Sequence, residues 1–213
     1  MKIIEAGYII EDEIQGDLIL KRLERAGRTC YKSEERIGPY TAGAFLKRII
    51  DSAHDSVLEH EKLTIRFICD RGVSHELVRH RIASFSQEST RYCNYGKDKY
   101  GGEITVIKPS FWKEGSPEWE SWQKGCEAAE AAYLQLLELG ASPEQARGVL
   151  PTAVKTEIVV TANLREWRHI LSLRTNNRAH PQIREIMIPL LKELQGIIPV
   201  IFDDIRVDEG INE

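Results

Sequence analysis

Arginine is concentrated in two stretches of the sequence. Arg79, His80, Arg81 and Arg91 fall within thirteen residues, and Arg147, Arg165, Arg174 and Arg178 form a later group. A guanidinium carries a permanent charge on a planar fork of donors. Several converging on one cleft therefore suit a phosphate or an electron-rich ring. Taken singly, each is more readily read as a solvated surface charge. The later group carries a further signal: Arg165, His169 and the residues near Leu173 recur at four-residue steps, which puts a polar stripe on one helix face.

Other candidate groups are sparser. His54 and His60 could ligate a metal, but their six-residue spacing matches no familiar zinc pattern. A satisfied loop histidine, or one touching a ligand, is the simpler reading. Ser89 has no Gly-x-Ser-x-Gly elbow around it, so it reads as a hydrogen-bonding hydroxyl rather than a nucleophile. Neither Gly-x-Gly-x-x-Gly nor Gly-x-x-x-x-Gly-Lys-Ser/Thr occurs, so no glycine-rich loop is available to cradle a pyrophosphate. Cys30, Cys69, Cys93 and Cys126 lie more than 20 residues apart with no Cys-x-x-Cys pair. They read as reduced thiols of a cytoplasmic protein, not as a zinc site or a disulfide framework.

The whole chain bounds these options. Its 213 residues are long for one domain and short for two. With 29 basic and 33 acidic residues, the net charge of -4 argues against long nucleic-acid partners but permits a small anionic substrate. A hydrophobic content of 42% excludes intrinsic disorder. No apolar run approaches the ~18 residues of a membrane span, and the N-terminus shows no signal-peptide core.

The elements that must position these groups follow from periodicity. Lys2–Ile10 reads as a strand, and Asp17–Ala26 as a helix stopped by Gly27 at C′. Thr41 can cap a helix with the stripe Ala42, Phe45, Leu46, Ile49 and Ala53. Strands are expected over Lys62–Cys69, Ile104–Ile107 and, by alternation, Val154–Thr161. Val73–Arg81 has a helical pattern, whereas Ser84–Tyr95 is patternless and reads as a functional loop or irregular strand. Ser116-Pro117-Glu118 starts the longest helix, whose stripe Trp119, Trp122, Cys126, Ala129, Tyr133, Leu136 and Leu137 reads as core and stops at Gly140. Ser142-Pro143-Glu144 starts another helix that carries Arg147. Asn163–Leu173 and Pro181–Ile197 are helices, the latter kinked at Pro189. Helices and strands interleave without a βαβ cadence, which favours one α+β domain.

Residues 79–92 read Arg-His-Arg-Ile-Ala-Ser-Phe-Ser-Gln-Glu-Ser-Thr-Arg-Tyr. Arg-His-Arg, seven residues, Ser89 and then Arg91-Tyr92 resemble the signature of the flavin-dependent thymidylate synthases. His54-Asp55-Ser56-Val57-Leu58-Glu59-His60 is similar to that family's His-rich segment, and Ala146-Arg147-Gly148-Val149-Leu150-Pro151 to its Ala-Arg-x-x-Leu-Pro element. Asn163-Leu164-Arg165 and Leu173-Arg174 match its later Asn-x-Arg and Leu-Arg positions, so the resemblance spans residues 54–180 in the family's order.

The resemblance implies a single α+β domain over residues 1–213, with a central β-sheet flanked by helices and assembly as a homotetramer with shared active sites. It implies reductive methylation of dUMP to dTMP, with methylenetetrahydrofolate as carbon donor and FAD reduced by NADPH. No enzyme cysteine adds to C6, and neither a metal, a nucleic acid nor a membrane is implied. Arg174 falls at the position of the pyrimidine activator, a group that holds charge developing on the ring. Glu76, Leu77, Val78, Arg79, Gln87, Glu88, Ser89, Thr90, Arg91 and Arg147 fall at dUMP-binding positions. Ser56, Arg79, His80, Arg81, Gln87, Asn163, Leu164, Arg165 and His169 fall at FAD-binding positions.

Two positions depart from the resembled pattern. Glu76 stands where such proteins usually carry Gln, and a carboxylate cannot donate to a phosphate. Ser86-Gln87-Glu88-Ser89 places its acid one residue later than the usual Asn-Glu-x-Ser. Three competing readings follow from the residues. His54-Asp55 suggests a metal-dependent nucleotide phosphohydrolase, although no histidine precedes His54. The arginines suggest an RNA-binding module, although residues 71–91 hold four Arg and no Lys in an acidic chain. Glu76 suggests a relative acting on another pyrimidine nucleotide.

Overall fold

The structure, a computed structural model, describes residues 1–207. The chain opens with β1 (Lys2–Ile4), β2 (Gly7–Ile10), α1 (Gly16–Thr29) and α2 (Ala42–Asp51). A 3₁₀ turn at Asp55–His60 leads into β3 (Lys62–Asp70), α3 (Arg71–Leu77), β4 (Ala83–Gln87) and β5 (Thr105–Ile107). The remainder contains α4 (Pro117–Glu138), α5 (Pro143–Ala146), β6 (Lys155–Asn163), α6 (Leu164–Arg174) and α7 (Pro181–Ile197). This is the mixed helix-and-sheet class expected from the sequence. Among the described residues, no helix is long and apolar enough to cross a membrane.

The chain divides into two compact units, one made of Met1–Tyr8, Arg66–Arg79 and Phe85–Val159. The other is made of Ile9–Ile65, His80–Ser84 and the chain from Val160 on. The division falls inside the strands. β2, β3, β6 and β4, in that order, form one sheet.

In the first unit β1 pairs in parallel with β5, with Lys2, Ile3 and Ile4 opposite Thr105, Val106 and Ile107. The core there gathers Tyr95, Ile104, Val106, Cys126, Tyr133, Ala146 and Val154. The stripe of α4 faces it as expected, with Cys126 and Tyr133 buried and Trp122 packed at its edge. Ser116 Oγ caps α4 by accepting from the Trp119 amide, and Gly140 follows the helix in the left-handed region at φ 92°.

In the second unit α1 packs on α2 and α6 on α7, while the Asp55–His60 turn packs against α1 and α6. Leu23, Leu46, Leu58, Trp167, Ile170, Met187, Leu190 and Phe202 fill the interior. Helix α7 continues through Pro189 to Ile197.

Several boundaries differ from the sequence reading. The strand expected over Lys2–Ile10 breaks at Glu5-Ala6, because β1 and β2 belong to different sheets. Gly27 is not a C′ residue but lies within α1. A Cβ there would stand 2.7 Å from the Phe45 ring, so close helix packing accounts for the glycine. Thr41 makes no cap hydrogen bond to α2. Its hydroxyl donates instead to Glu24 Oε2 at 2.9 Å. Ala53 is exposed at φ 54°, so the α2 stripe ends at Ile49. The helix expected over Val73–Arg81 is shifted to Arg71–Leu77, because Asp70 Oδ1 caps it by accepting from the Val73 amide at 2.7 Å. Helix α5 stops at Ala146, and Arg147–Val149 is a 3₁₀ turn.

Candidate functional site

The residues expected to bind a nucleotide all lie in the first unit. At the end of α3, Leu77 is buried, Glu76 half-buried, and Val78 and Arg79 exposed. Strand β4 ends at Gln87, whose Nε2 donates to Ser74 Oγ at 2.9 Å and Thr156 Oγ1 at 3.2 Å. Two side chains of the scaffold thus hold the amide, and its oxygen accepts no hydrogen bond among the described residues. Ser89 starts a tight turn: its carbonyl accepts from the Tyr92 and Cys93 amides, and its Oγ accepts from the Arg91 amide at 3.3 Å. No base approaches that hydroxyl among the described residues, which leaves it a hydrogen-bonding group. Thr90 is buried beneath the turn, and Arg91 pairs with Glu144 at 2.8 Å. Arg79 and Arg147 are exposed, with no ion pair or side-chain hydrogen bond among the described residues. Both are available to an anion.

Glu88 sits in a charge network that the sequence did not reveal. Its Oε1 accepts from the Tyr95 hydroxyl at 2.9 Å and its Oε2 from Lys155 Nζ at 3.0 Å. Lys155 also reaches Glu157 Oε1 at 2.8 Å, and Glu157 Oε2 meets Arg66 at 3.2 Å. Two acids and two bases therefore balance. Burial pulls Lys155 down, but its bonds to Glu157 and Glu88 outweigh this and hold it above its ordinary range. Burial, then the Glu88 carboxylate, keep Tyr95 protonated well beyond the usual phenol range. The displaced acid of the motif thus presents no net charge to a bound phosphate.

The second unit holds Arg174 and most residues expected to bind flavin. Arg79 and Gln87, expected in both sets, belong to the first. Helix α6 starts where Asn163 Oδ1 accepts from the Glu166 amide at 2.8 Å. Leu164 and Trp167 turn its apolar face inward, and Trp167 Nε1 donates to the Leu63 carbonyl at 3.0 Å. The opposite face carries Arg165, His169 and Leu173, all exposed, which is the polar stripe read from the sequence. Ser56 is exposed on the Asp55–His60 turn, and Arg81 is exposed next to the buried His80. Leu77 and Leu164 spend their side chains on the core, so only their backbones can meet a ligand.

His80 is the buried centre of this region, 5% exposed. Its Nε2 accepts from Arg174 Nε at 3.0 Å, its Nδ1 stands 3.5 Å from Glu166 Oε1, and the His169 ring meets it edge-on with centroids 5.5 Å apart. Burial first, then the charges of Arg174 and His169, push its pKa down to about 4, so the imidazole is neutral near pH 7.

Two cavities open on these residues, both within the second unit. One of about 700 Å³ is lined by Asp55, Glu59, Asn163, Arg165, Glu166 and His169 among others. The other, about 510 Å³, is lined by Leu173, Arg174, Asn176, Asn177, Arg178 and Ala179. Both fall in the size range of small-molecule sites. The contact from Glu166 through His80 to Arg174 joins their walls. The set fits a flavin by its chemistry: Arg165 and His169 offer charge and donors to a diphosphate, and Asn163 keeps its amide NH₂ unbonded among the described residues. Arg165 is held by Glu59 at 2.6 Å, an exposed pair that a phosphate can displace. His80, Glu166 and His169 also place ligand atoms within 4.8 Å of one another, as a metal would require. Arg174 donating to the same imidazole opposes a second cation there.

Glu166, Lys155, Tyr95 and Thr156 are the site residues missed by the sequence reading. The only signals were the position of Glu166 three residues before His169, and Lys155 on the wet face of an alternating strand.

Comparison with known proteins identifies the family. The family described as "Thymidylate synthase complementing protein" matches residues 19–200. A flavin-dependent thymidylate synthase of Corynebacterium glutamicum is 35% identical over 205 residues, covering 87% of this chain and 79% of the relative. One from Mycobacterium sp. (strain KMS) is also 35% identical, over 220 residues, covering 92% and 83%. One from Pyrococcus furiosus is 38% identical over 169 residues, covering 79% and 68%. In fold, the chain is similar to the crystal structure of the UMP/dUMP methylase PolB from Streptomyces cacaoi bound with 5-Br dUMP. That match has a TM-score of 0.79 at 24% identity and covers 95% of this chain and 96% of that one. A family match over residues 19–200, with relatives 35–38% identical over most of the chain, leads to one conclusion: the chain belongs to the thymidylate synthase complementing protein family, that of the flavin-dependent thymidylate synthases, and is a methyltransferase enzyme.

Proposed function

We propose that the protein methylates dUMP to dTMP, using methylenetetrahydrofolate as carbon donor and FAD reduced by NADPH, without a cysteine nucleophile. We further propose that residues 1–213 act as one α+β domain in a cytoplasmic homotetramer with shared active sites, a state that sedimentation velocity measures directly. The observation that carries the reaction is Arg174, a permanent cation lining a cavity and held by a neutral buried histidine.

C5 of uracil is a weak nucleophile, so the ring must be activated before a one-carbon unit can be attached. Bound FAD, once reduced, supplies hydride in place of a thiol. The chain's own residues bind, orient and hold charge. Arg79 and Arg147, both unpaired among the described residues, are the cations for the dUMP phosphate, with the Ser89 hydroxyl and Arg91 beside the same turn. Gln87, clamped by Ser74 and Thr156, presents its amide oxygen to a ring N–H. Arg174 stabilises negative charge on the pyrimidine. Arg165, His169, Asn163, Ser56, His80 and Arg81 would hold the flavin.

Cys69, Cys126 and Cys93 support a mechanism without sulfur, while Cys30 is exposed. Cys69 and Cys126 are buried, and burial raises both thiols, Cys126 to about 11. Cys93 packs against the core of the first unit. The test is Arg174→Ala. dTMP formation is expected to fall about 10²–10³-fold, the usual loss for one preorganised donor, while FAD binding by calorimetry survives. Near-normal turnover in this variant would remove Arg174 from the proposed role.

A further inference from the structure

We propose that Glu166 and His80 are positioning residues that fix the orientation of Arg174, an inference resting on the reading of Arg174 as the group facing the pyrimidine. The argument is one of donors and acceptors. A guanidinium only donates, and Arg174 Nε lies 3.0 Å from His80 Nε2. His80 Nε2 must therefore present its lone pair. A neutral imidazole has one N–H, so the proton sits on Nδ1. Nδ1 faces Glu166 Oε1 at 3.5 Å, and a carboxylate only accepts. The polarity of the chain is thus fixed from Arg174 to His80 to Glu166. A protonated His80 would turn an N–H against the guanidinium and break it.

The parts are also held in place. Glu166 is 8% exposed and sits in the first turn of α6, its amide bonded to the Asn163 cap. Arg174 ends the same helix, and His80 comes from a separate segment that touches both. Because the guanidinium nitrogens are coplanar, committing Nε to His80 fixes the plane in which the others lie. Removing Glu166 frees the imidazole to take the Nε2–H tautomer, which cannot accept from Arg174. The arrangement parallels buried carboxylates that set the tautomer of a metal-bound histidine, here applied to an arginine.

Nitrogen-15 NMR of the protein, free of ligand and labelled at histidine, tests this, with His80→Gln identifying the signal. His80 is expected as the Nδ1–H tautomer at pH 7, moving toward Nε2–H in Glu166→Leu. In the turnover assay Glu166→Leu is expected to lose about 10–100-fold in kcat, as for outer partners that fix a histidine, with flavin loading retained. Glu166→Gln keeps an acceptor oxygen and should recover most of that loss, which a merely structural role would not require. An Nε2–H His80 in the wild-type protein overturns the proposal, as does unchanged kcat in Glu166→Leu. If Glu166→Leu does not fold, the wild-type tautomer and Glu166→Gln decide the matter. The NMR result needs no turnover, so failure of the methylation reading would show separately, as a wild-type protein making no dTMP.

Discussion

Lys155 Nζ reaches Glu88 Oε2 at 3.0 Å and Glu157 Oε1 at 2.8 Å, so one lysine of β6 neutralises the acid of the arginine-rich motif. Both Lys155 and Glu88 side chains are largely buried, at 20% and 15% exposed. Removing one partner leaves a charge with little water around it. Lys155→Met is expected to cost about 2 kcal/mol, below the 3–5 kcal/mol of a fully buried pair. It should also weaken dUMP binding several-fold, by exposing a carboxylate among the phosphate-binding residues. Adding Glu88→Gln should restore both. Calorimetric titration of dUMP and urea unfolding of the single and double variants measure this, and additive losses in the double variant would count against coupling.

His80 makes stability depend on pH. Its folded pKa is near 4, against 6.5 for the free side chain. Between those values the unfolded chain binds the extra proton, so stability falls as pH drops from 6.5 toward 4. The loss is on the order of 3 kcal/mol at full extent. Thermal unfolding in steps from pH 7 to pH 4 should show a shallower decline in His80→Gln than in the wild-type protein. Parallel declines would assign the acid sensitivity elsewhere.

Ser89→Ala should retain measurable turnover. The hydroxyl accepts a turn hydrogen bond, and its loss is worth about 0.5–1.5 kcal/mol. Complete loss of dTMP formation with dUMP still bound would restore the serine nucleophile.

The fold was legible wherever burial sets periodicity. Alternation gave β3 and β6, and three- and four-residue steps gave α4 and α6, because one face of each is buried. Local chemistry that serves tertiary contacts was not legible. Gly27 looked like a helix stop but makes room for the Phe45 ring, and Thr41 looked like a cap but donates to Glu24. Asp70 shifted α3 two residues earlier than its apolar pattern suggested, which left Arg79, His80 and Arg81 outside the helix. In the candidate site, the polar stripe on α6 was legible from four-residue spacing, whereas which arginines stay without an ion pair among the described residues, Arg79 and Arg147, was not. Glu166 and Lys155 were missed because their meaning lies in partners 86 and 67 positions away, His80 and Glu88.

The central claim is that this chain activates dUMP without a sulfur adduct. Cys93 is the thiol that most directly challenges it, being two residues past Arg91 and only partly buried. The deciding measurement is a single turnover under anaerobic conditions by a folded variant with Cys30, Cys69, Cys93 and Cys126 all replaced by Ser or Ala. The variant is loaded with FAD, reduced by NADPH, and mixed with dUMP and methylenetetrahydrofolate. Chromatography of the quenched mixture is expected to show dTMP in proportion to bound flavin. A variant that binds both FAD and dUMP yet yields no dTMP, while the wild-type protein does, would contradict the account and point to a cysteine adduct.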